Sequence, residues 1–200
     1  MKRLMFGGSF NPVHNGHLHL LDALRRTVEP DRIMIIPTYL PVHKQVGSDF
    51  LDSEHRLAMC RLAFDGEDIE ICDWEIAQGK PCYTVDTLSY LREQYPGDEW
   101  YLACGSDMFL SFESWKRYRD IYQMAVICAV SRGDELERMR AFAAEQAKWG
   151  MRCLLSEAAP YPMSSTAIRD RLRRGETAED DLPPAVAEYI QTHRLYQEAL

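Results

Sequence analysis

Short apolar runs rich in Ile, Val, Leu and aromatic residues recur along the chain, separated by longer stretches whose apolar positions return with a helical period. The first kind predicts strands at residues 3–6 (RLMF), 32–38 (RIMIIPT), 68–76 (DIEICDWEI), 99–105 (EWYLACG), 125–131 (AVICAVS) and 152–157 (RCLLSE). The second kind predicts helices. Leu18, Leu21, Leu24 and Val28 share one face of the first, and Leu57, Cys60, Arg61 and Phe64 trace a stripe along the second, with Ser53 as its cap. TVDTLSYLREQYPG makes a third, from Thr84 as cap to Gly97 as stop, and residues 133–150 make a charged amphipathic helix. Alternation of this kind implies βαβ units and an α/β, mostly parallel sheet with helices on both faces. Ligands are then expected beyond the carboxyl ends of the strands. From Ser164 the pattern changes to two helical segments separated by GETAEDDLPP.

The stretch FGGSFNPVHNGHLHLL, residues 6–21, joins the first strand to the first helix. Gly7 and Gly8 let the backbone turn tightly and approach an anion closely, Ser9 and Asn11 add polar groups, and the helix start aims free N–H groups at the same place. Neither GxxxxGK[ST] nor GxGxxG is present, so the usual phosphate-binding signatures do not apply. His14 and His17 are left to donate to phosphoryl oxygens, and an adjacent anion would favour their protonated form. On the residues alone they could equally be a surface pair or a capping feature.

With its strand, Gly-rich loop and helix, GGSFNPVHNGHL resembles the opening motif of the HxGH nucleotidyltransferase superfamily, whose members join a nucleotide monophosphate to a second phosphate. Within that superfamily, further blocks in order resemble the bacterial nicotinate-nucleotide adenylyltransferases: PTYLPVHK (37–44), CYTVDTL (82–88), GSD (105–107), Trp115, Ser131 with Arg132, and MSSTAIR (163–169). Two departures stand out: Asn11, where many relatives carry Asp, and CYT, where a Ser before the Tyr is commoner.

The resemblance implies a Rossmann-like, doubly wound fold in a single domain over residues 1–200, with a small helical C-terminal segment from 163 to 200. It implies transfer of AMP from ATP to nicotinate mononucleotide in NAD biosynthesis, with Mg²⁺ bound mainly through ATP phosphates. His14, His17, Lys44 and Arg169 are the expected catalytic groups. Gly7, Gly8, Ser9, Phe10, Gly105, Asp107, Ser164, Ser165 and Thr166 are expected to bind ATP, and Asn11, Tyr83, Thr84, Trp115 and Arg132 the mononucleotide. Several positions keep a plainer reading: Lys44 as a solvated charge, Asp107 as a helix cap, Trp115 as core, Arg132 as a surface arginine, and Ser164 to Thr166 as an N-cap.

Composition narrows the partners. Two hundred residues with 46% hydrophobic content suit one well-buried domain. A net charge of −8 argues against coating nucleic acid or an anionic membrane, while a small ligand in a local pocket remains open. No run approaches the ~18 apolar residues of a membrane span, and no secretory apolar region opens the chain, so the expectation is a cytosolic protein. The six cysteines are scattered singly without CxxC spacing, which fits reduced thiols packed as small hydrophobes, with no protein site for a metal. A homo-oligomer is compatible with all of this.

Overall fold

A computed structural model describes residues 1–42, 46–132, 134–159 and 161–197. Its strands are β1 (Lys2–Gly8), β2 (Arg32–Pro37), β3 (Ile69–Ile71), β4 (Glu99–Gly105), β5 (Ala125–Arg132) and β6 (Cys153–Ala158). Its helices are α1 (Asn15–Val28), α2 (Ser53–Ala63), α3 (Trp74–Ala77), α4 (Thr84–Gln94), α5 (Ser106–Leu110), α6 (Tyr118–Met124), α7 (Leu136–Gln146), α8 (Ser165–Arg173) and α9 (Pro184–Thr192). The strands lie in the order β3-β2-β1-β4-β5-β6, every neighbouring pair parallel. This is a Rossmann-like α/β sheet. The chain winds outward from β1 in one direction and from β4 in the other, leaving a crevice between the ends of those two strands.

Strand alternation divides the core into two layers. Leu4, Phe6, Ile33, Ile35, Ala103, Cys128 and Val130 face one side and pack with Leu21 and Leu24 of α1, Met59 and Cys60 of α2, Ile168 of α8 and Val186 and Ile190 of α9. Met5, Met34, Ile36, Leu102, Ile127 and Ala129 face the other, against Val85, Leu88 and Leu91 of α4, Phe109, Ile121 and Met139. The helical C-terminal segment is therefore packed into the first layer. All six cysteines are free, and burial pushes the Cys60 and Cys128 thiols up to about 12. No helix among the described residues is long and apolar enough to cross a membrane.

Three local expectations need correction. The run 68–76 is a strand only over β3; the chain then turns into α3, because Cys72 already closes the pairing with Ile35. The cap of α2 is Asp52, whose carboxylate accepts from the His55 N–H at 2.9 Å, and not Ser53. The buried face of that helix is Arg56, Met59, Cys60 and Ala63, whereas Arg61 is exposed.

Arg56 is 1% exposed. Its Nε donates to Leu51 O (3.1 Å), Nη1 to Ser9 O (2.9 Å) and Thr38 O (2.6 Å), and Nη2 to Tyr39 O (2.9 Å), while the Phe50 ring lies 4.6 Å from its Cζ. One side chain thus joins the loops that follow β1 and β2 to the start of α2. Burial pulls its pKa down, and no carboxylate stands at ion-pair distance among the described residues. Carbonyl dipoles carry the charge. Arg56→Leu should leave these carbonyls buried without donors and destabilise the fold by about 3–5 kcal/mol. Urea unfolding checks this, and a midpoint equal to that of the parent would show that the loops hold without the guanidinium.

Candidate active site

The loop from Gly8 to His14 is shaped by side chains that fold back onto it. Phe10 has φ +47°, a backbone state uncommon for a residue with a Cβ, and its ring is held in edge contacts by Phe6, Phe64 and His17. A Cβ at Gly8 would come within 2.9 Å of that ring, so glycine is required there by packing. His14 is the N-cap of α1, and its Nδ1 accepts from the Gly16 N–H at 3.1 Å. The Nδ1 of His17 accepts from the His14 N–H at 3.2 Å, completing a capping box made of two imidazoles. A Cβ on Gly16 would stand 2.9 Å from the His14 ring, which explains the glycine between the histidines.

This cap has a chemical consequence. Both Nδ1 atoms act as acceptors, so a neutral ring carries its proton on Nε2, where it is a donor. The two rings lie with centroids 3.8 Å apart. They line a polar cleft together with Ser131 at the end of β5, Tyr161, and Ser164 and Ser165 at the start of α8. Ser164 caps α8 by accepting from the Ala167 N–H at 3.2 Å, and Ser165 donates to Pro12 O at 3.1 Å, which pins this helix start against the first loop. Two helix N-termini, with the positive ends of their dipoles, thus converge on one cleft, the arrangement suited to an anion.

Arg169 lies one turn into α8. Its Nε donates to Asp49 (2.7 Å), its Nη1 to Asn11 O (2.9 Å) and its Nη2 to Thr166 Oγ1 (3.4 Å). Arg173 donates to the same Asp49 oxygen at 3.0 Å, and the hydrogen bond from Arg169 holds the Asp49 carboxyl below the usual carboxylate range. Asn11 is a junction: its side chain donates to Asp49 O (3.0 Å) and accepts from Leu51 N–H (3.2 Å) and the Tyr196 hydroxyl (2.9 Å). An Asp at this position would lose the donor.

A second cavity opens between the ends of β1, β2 and β4. Gly7, Gly8, Ser9, Thr38, Glu75, Thr84, Met108 and Trp115 lie on its walls. Trp115 is 9% exposed and stacks on Phe112 at 4.4 Å, so it belongs to the core and to the cavity wall together.

The expected site residues divide accordingly. His14, His17, Ser164 and Ser165 meet at the polar cleft; Gly7, Gly8, Ser9, Thr84 and Trp115 at the second cavity; Arg169 and Thr166 in a hollow with Asp49 between them. Four expected contacts are placed elsewhere. The Phe10 ring is core, and the Asn11 side chain is engaged by protein partners in the hollow of Arg169. Tyr83 stands outside the second cavity with Lys116 4.2 Å above its ring. Asp107 is exposed in the first turn of α5 and makes no side-chain cap, while Gly105 is the N-cap residue. Lys44 lies outside the described residues, and Arg132 ends β5 with only its backbone described. The sequence reading missed Arg56, Asp49 and Glu75. The first had a signal, a charged residue on the face otherwise formed by Met59, Cys60 and Ala63.

Residues 5–171 match the cytidylyltransferase-like family. A Neisseria meningitidis serogroup B protein bearing the name "probable nicotinate-nucleotide adenylyltransferase" is 34% identical over 205 residues, covering 98% of this chain and 100% of the relative. A Borrelia hermsii protein of the same name is 34% identical over 199 residues, covering 98% of each. In fold, the chain is similar to a Plasmodium falciparum nicotinic acid mononucleotide adenylyltransferase solved with NaAD, at TM-score 0.75 and 20% identity over 98% of this chain and 97% of that one. The chain belongs to the cytidylyltransferase-like family and, within it, to the nicotinate-nucleotide adenylyltransferases.

Proposed function

We propose that this protein transfers AMP from ATP to nicotinate mononucleotide, giving nicotinate adenine dinucleotide and pyrophosphate, as a step of NAD biosynthesis. One observation carries the reading: the loop from Gly7 to His17 faces both chambers, with Gly7, Gly8 and Ser9 on the second cavity and His14 and His17 on the polar cleft. A phosphate entering from each side meets the other at that loop. ATP is assigned to the polar cleft and the mononucleotide to the cavity with Thr84 and Trp115. The reacting unit is the single domain of residues 1–200, with residues 163–200 contributing its second helix start.

An oxygen of the mononucleotide phosphate attacks the α-phosphorus of ATP, and the bond to the bridging oxygen of pyrophosphate breaks. The nucleophile is already an anion at neutral pH, so it needs no general base. Catalysis is then positioning and neutralisation of charge. The Nε2–H groups of His14 and His17 donate to the transferred phosphoryl group. Arg169, which exchanges Asp49 for phosphate, and Lys44 meet the leaving pyrophosphate, beside the hydroxyls of Ser164, Ser165 and Thr166. Asp107, Gly105 and Arg132 stay as candidates for sugar or phosphate contacts.

The family uses a divalent cation, which we take to be Mg²⁺. Among the described residues no group of three or more His, Cys, Asp or Glu could hold a metal ion, and the donors at the polar cleft are imidazoles, hydroxyls and N–H groups. This set fits a cation carried by the triphosphate and water, as Mg²⁺ prefers. Its role there is to draw charge from the phosphate oxygens. Free thiols throughout favour a reducing, cytosolic setting.

Pyrophosphate release with ATP, Mg²⁺ and either nicotinate mononucleotide, nicotinamide mononucleotide or phosphopantetheine tests the reading; turnover only with the last would overturn it. His17→Ala should lower kcat roughly a hundredfold, since the loss of one transition-state donor raises the barrier by ~3 kcal/mol, against ~1 kcal/mol of stability for a lost cap. Steady-state kinetics and thermal unfolding of the same sample separate the two. Arg169→Lys should raise the KM for ATP about tenfold despite retained charge, because an ammonium cannot hold Asn11 O and phosphate at once. An unchanged KM would remove this residue from the ATP site.

A further inference from the structure

Glu75 has no part in the chemistry above, yet it lines the second cavity and is 6% exposed. It sits on α3 and accepts a hydrogen bond from the Thr87 hydroxyl of α4 at 2.6 Å, while the Thr38 hydroxyl on the same wall donates to Leu40 O at 3.2 Å. Thr87 is a neutral donor, which suits a carboxylate as acceptor. No Lys, Arg or His lies at ion-pair distance from it among the described residues. Burial pushes its pKa up, the signature of an anion lacking a counter-charge. Cys82 is the other ionisable group described on this wall, and burial keeps its thiol neutral. An apolar cavity with one indole wall and one carboxyl that has no counter-charge among the described residues favours a flat heterocyclic ring carrying positive charge over a neutral one.

We propose that Glu75 supplies the counter-charge for the positively charged pyridinium ring of the mononucleotide, with Trp115 supplying the aromatic surface. This rests on the assignment of the mononucleotide to the second cavity. The acid and amide forms share the ring charge, so Glu75 does not choose between them. It separates the oxidised ring from the uncharged dihydropyridine, which has the same substituents and nearly the same outline. The consequence is selection of the oxidation state before the adenylyl group is joined.

Isothermal titration calorimetry with nicotinamide mononucleotide and its 1,4-dihydro form tests this. The parent protein should bind the oxidised form about tenfold more tightly. Glu75→Gln keeps the acceptor for Thr87; it should weaken the oxidised form about tenfold, leave the dihydro form within about twofold, and leave the KM for ATP unchanged. Equal affinities of the parent for the two forms would overturn the proposal without recourse to any variant. Equal weakening of both by Glu75→Gln would also overturn it, making Glu75 a strut between α3 and α4. If the parent released no pyrophosphate with any pyridine mononucleotide while the preference and its loss in Glu75→Gln remained, adenylyl transfer would fall and the ring-charge assignment would stand.

Discussion

Arg56 brings a positive charge into the interior where four backbone carbonyls receive it, with no carboxylate at ion-pair distance among the described residues. These carbonyls belong to the segments leaving β1 and β2 and to the chain entering α2, the places where a parallel sheet has no hydrogen bonds of its own to offer. Loops at strand ends must find partners for their backbone groups or stay in water. Here a single guanidinium supplies the donors. Its fixed fork reaches several acceptors at once, which a flexible ammonium could not do. The walls of both the second cavity and the hollow of Arg169 run through these loops, at Ser9 and Thr38 in the first and at Ser9 and Phe50 in the second.

Built on that frame, the first helix start turns a structural requirement into a chemical one. Capping needs acceptors for free N–H groups, and this chain uses imidazole Nδ1 atoms for it. The tautomer follows from the cap, since an acceptor nitrogen cannot also hold the proton. Gly16 is as much a part of this as the histidines, because only hydrogen fits beneath the His14 ring. The Gly-rich character of the loop therefore has two causes. Gly8 and Gly16 make way for protein rings, and Gly7, where a Cβ would stand 3.8 Å from the Ile36 carbonyl oxygen, leaves room on the cavity side.

The negative charges are placed with equal economy. Asp49 neutralises Arg169 and Arg173 in the hollow beside Asn11, and Asn11 provides the amide donor that holds the Asp49 backbone. A carboxylate at position 11 would stand beside Asp49 with no proton to offer its carbonyl. The Asn and the Asp of this chain form one unit. Glu75 stands apart from that network, in a mostly apolar wall and hydrogen-bonded to Thr87.

The sequence by itself determined the layers, the alternation of strands and helices and the glycine-rich passage from the first strand to the first helix. These rest on local rules: short continuous apolar runs in strands buried on both faces, period 3.6 in helices, and glycines before a helix start. It also named the residues that come together at the cleft, because His14, His17, Ser164 and Ser165 occur in short motifs whose geometry is largely local. What it could not decide were contacts between segments distant along the chain. Nothing near Arg56 in sequence announces that its acceptors are Ser9, Thr38 and Tyr39, and the period of α2 misled by one step because a buried arginine imitates a solvent position. Asp49 looks like an ordinary polar loop residue, and Asn11 like a ligand contact, until Arg169, 120 positions beyond Asp49, joins them. Glu75 lay hidden in a run read as a strand, and only the packing of α3 against α4 turned it towards a cavity. Local periodicity sets the elements; the partners of buried charge are set by where the sheet brings those elements, and that is tertiary structure.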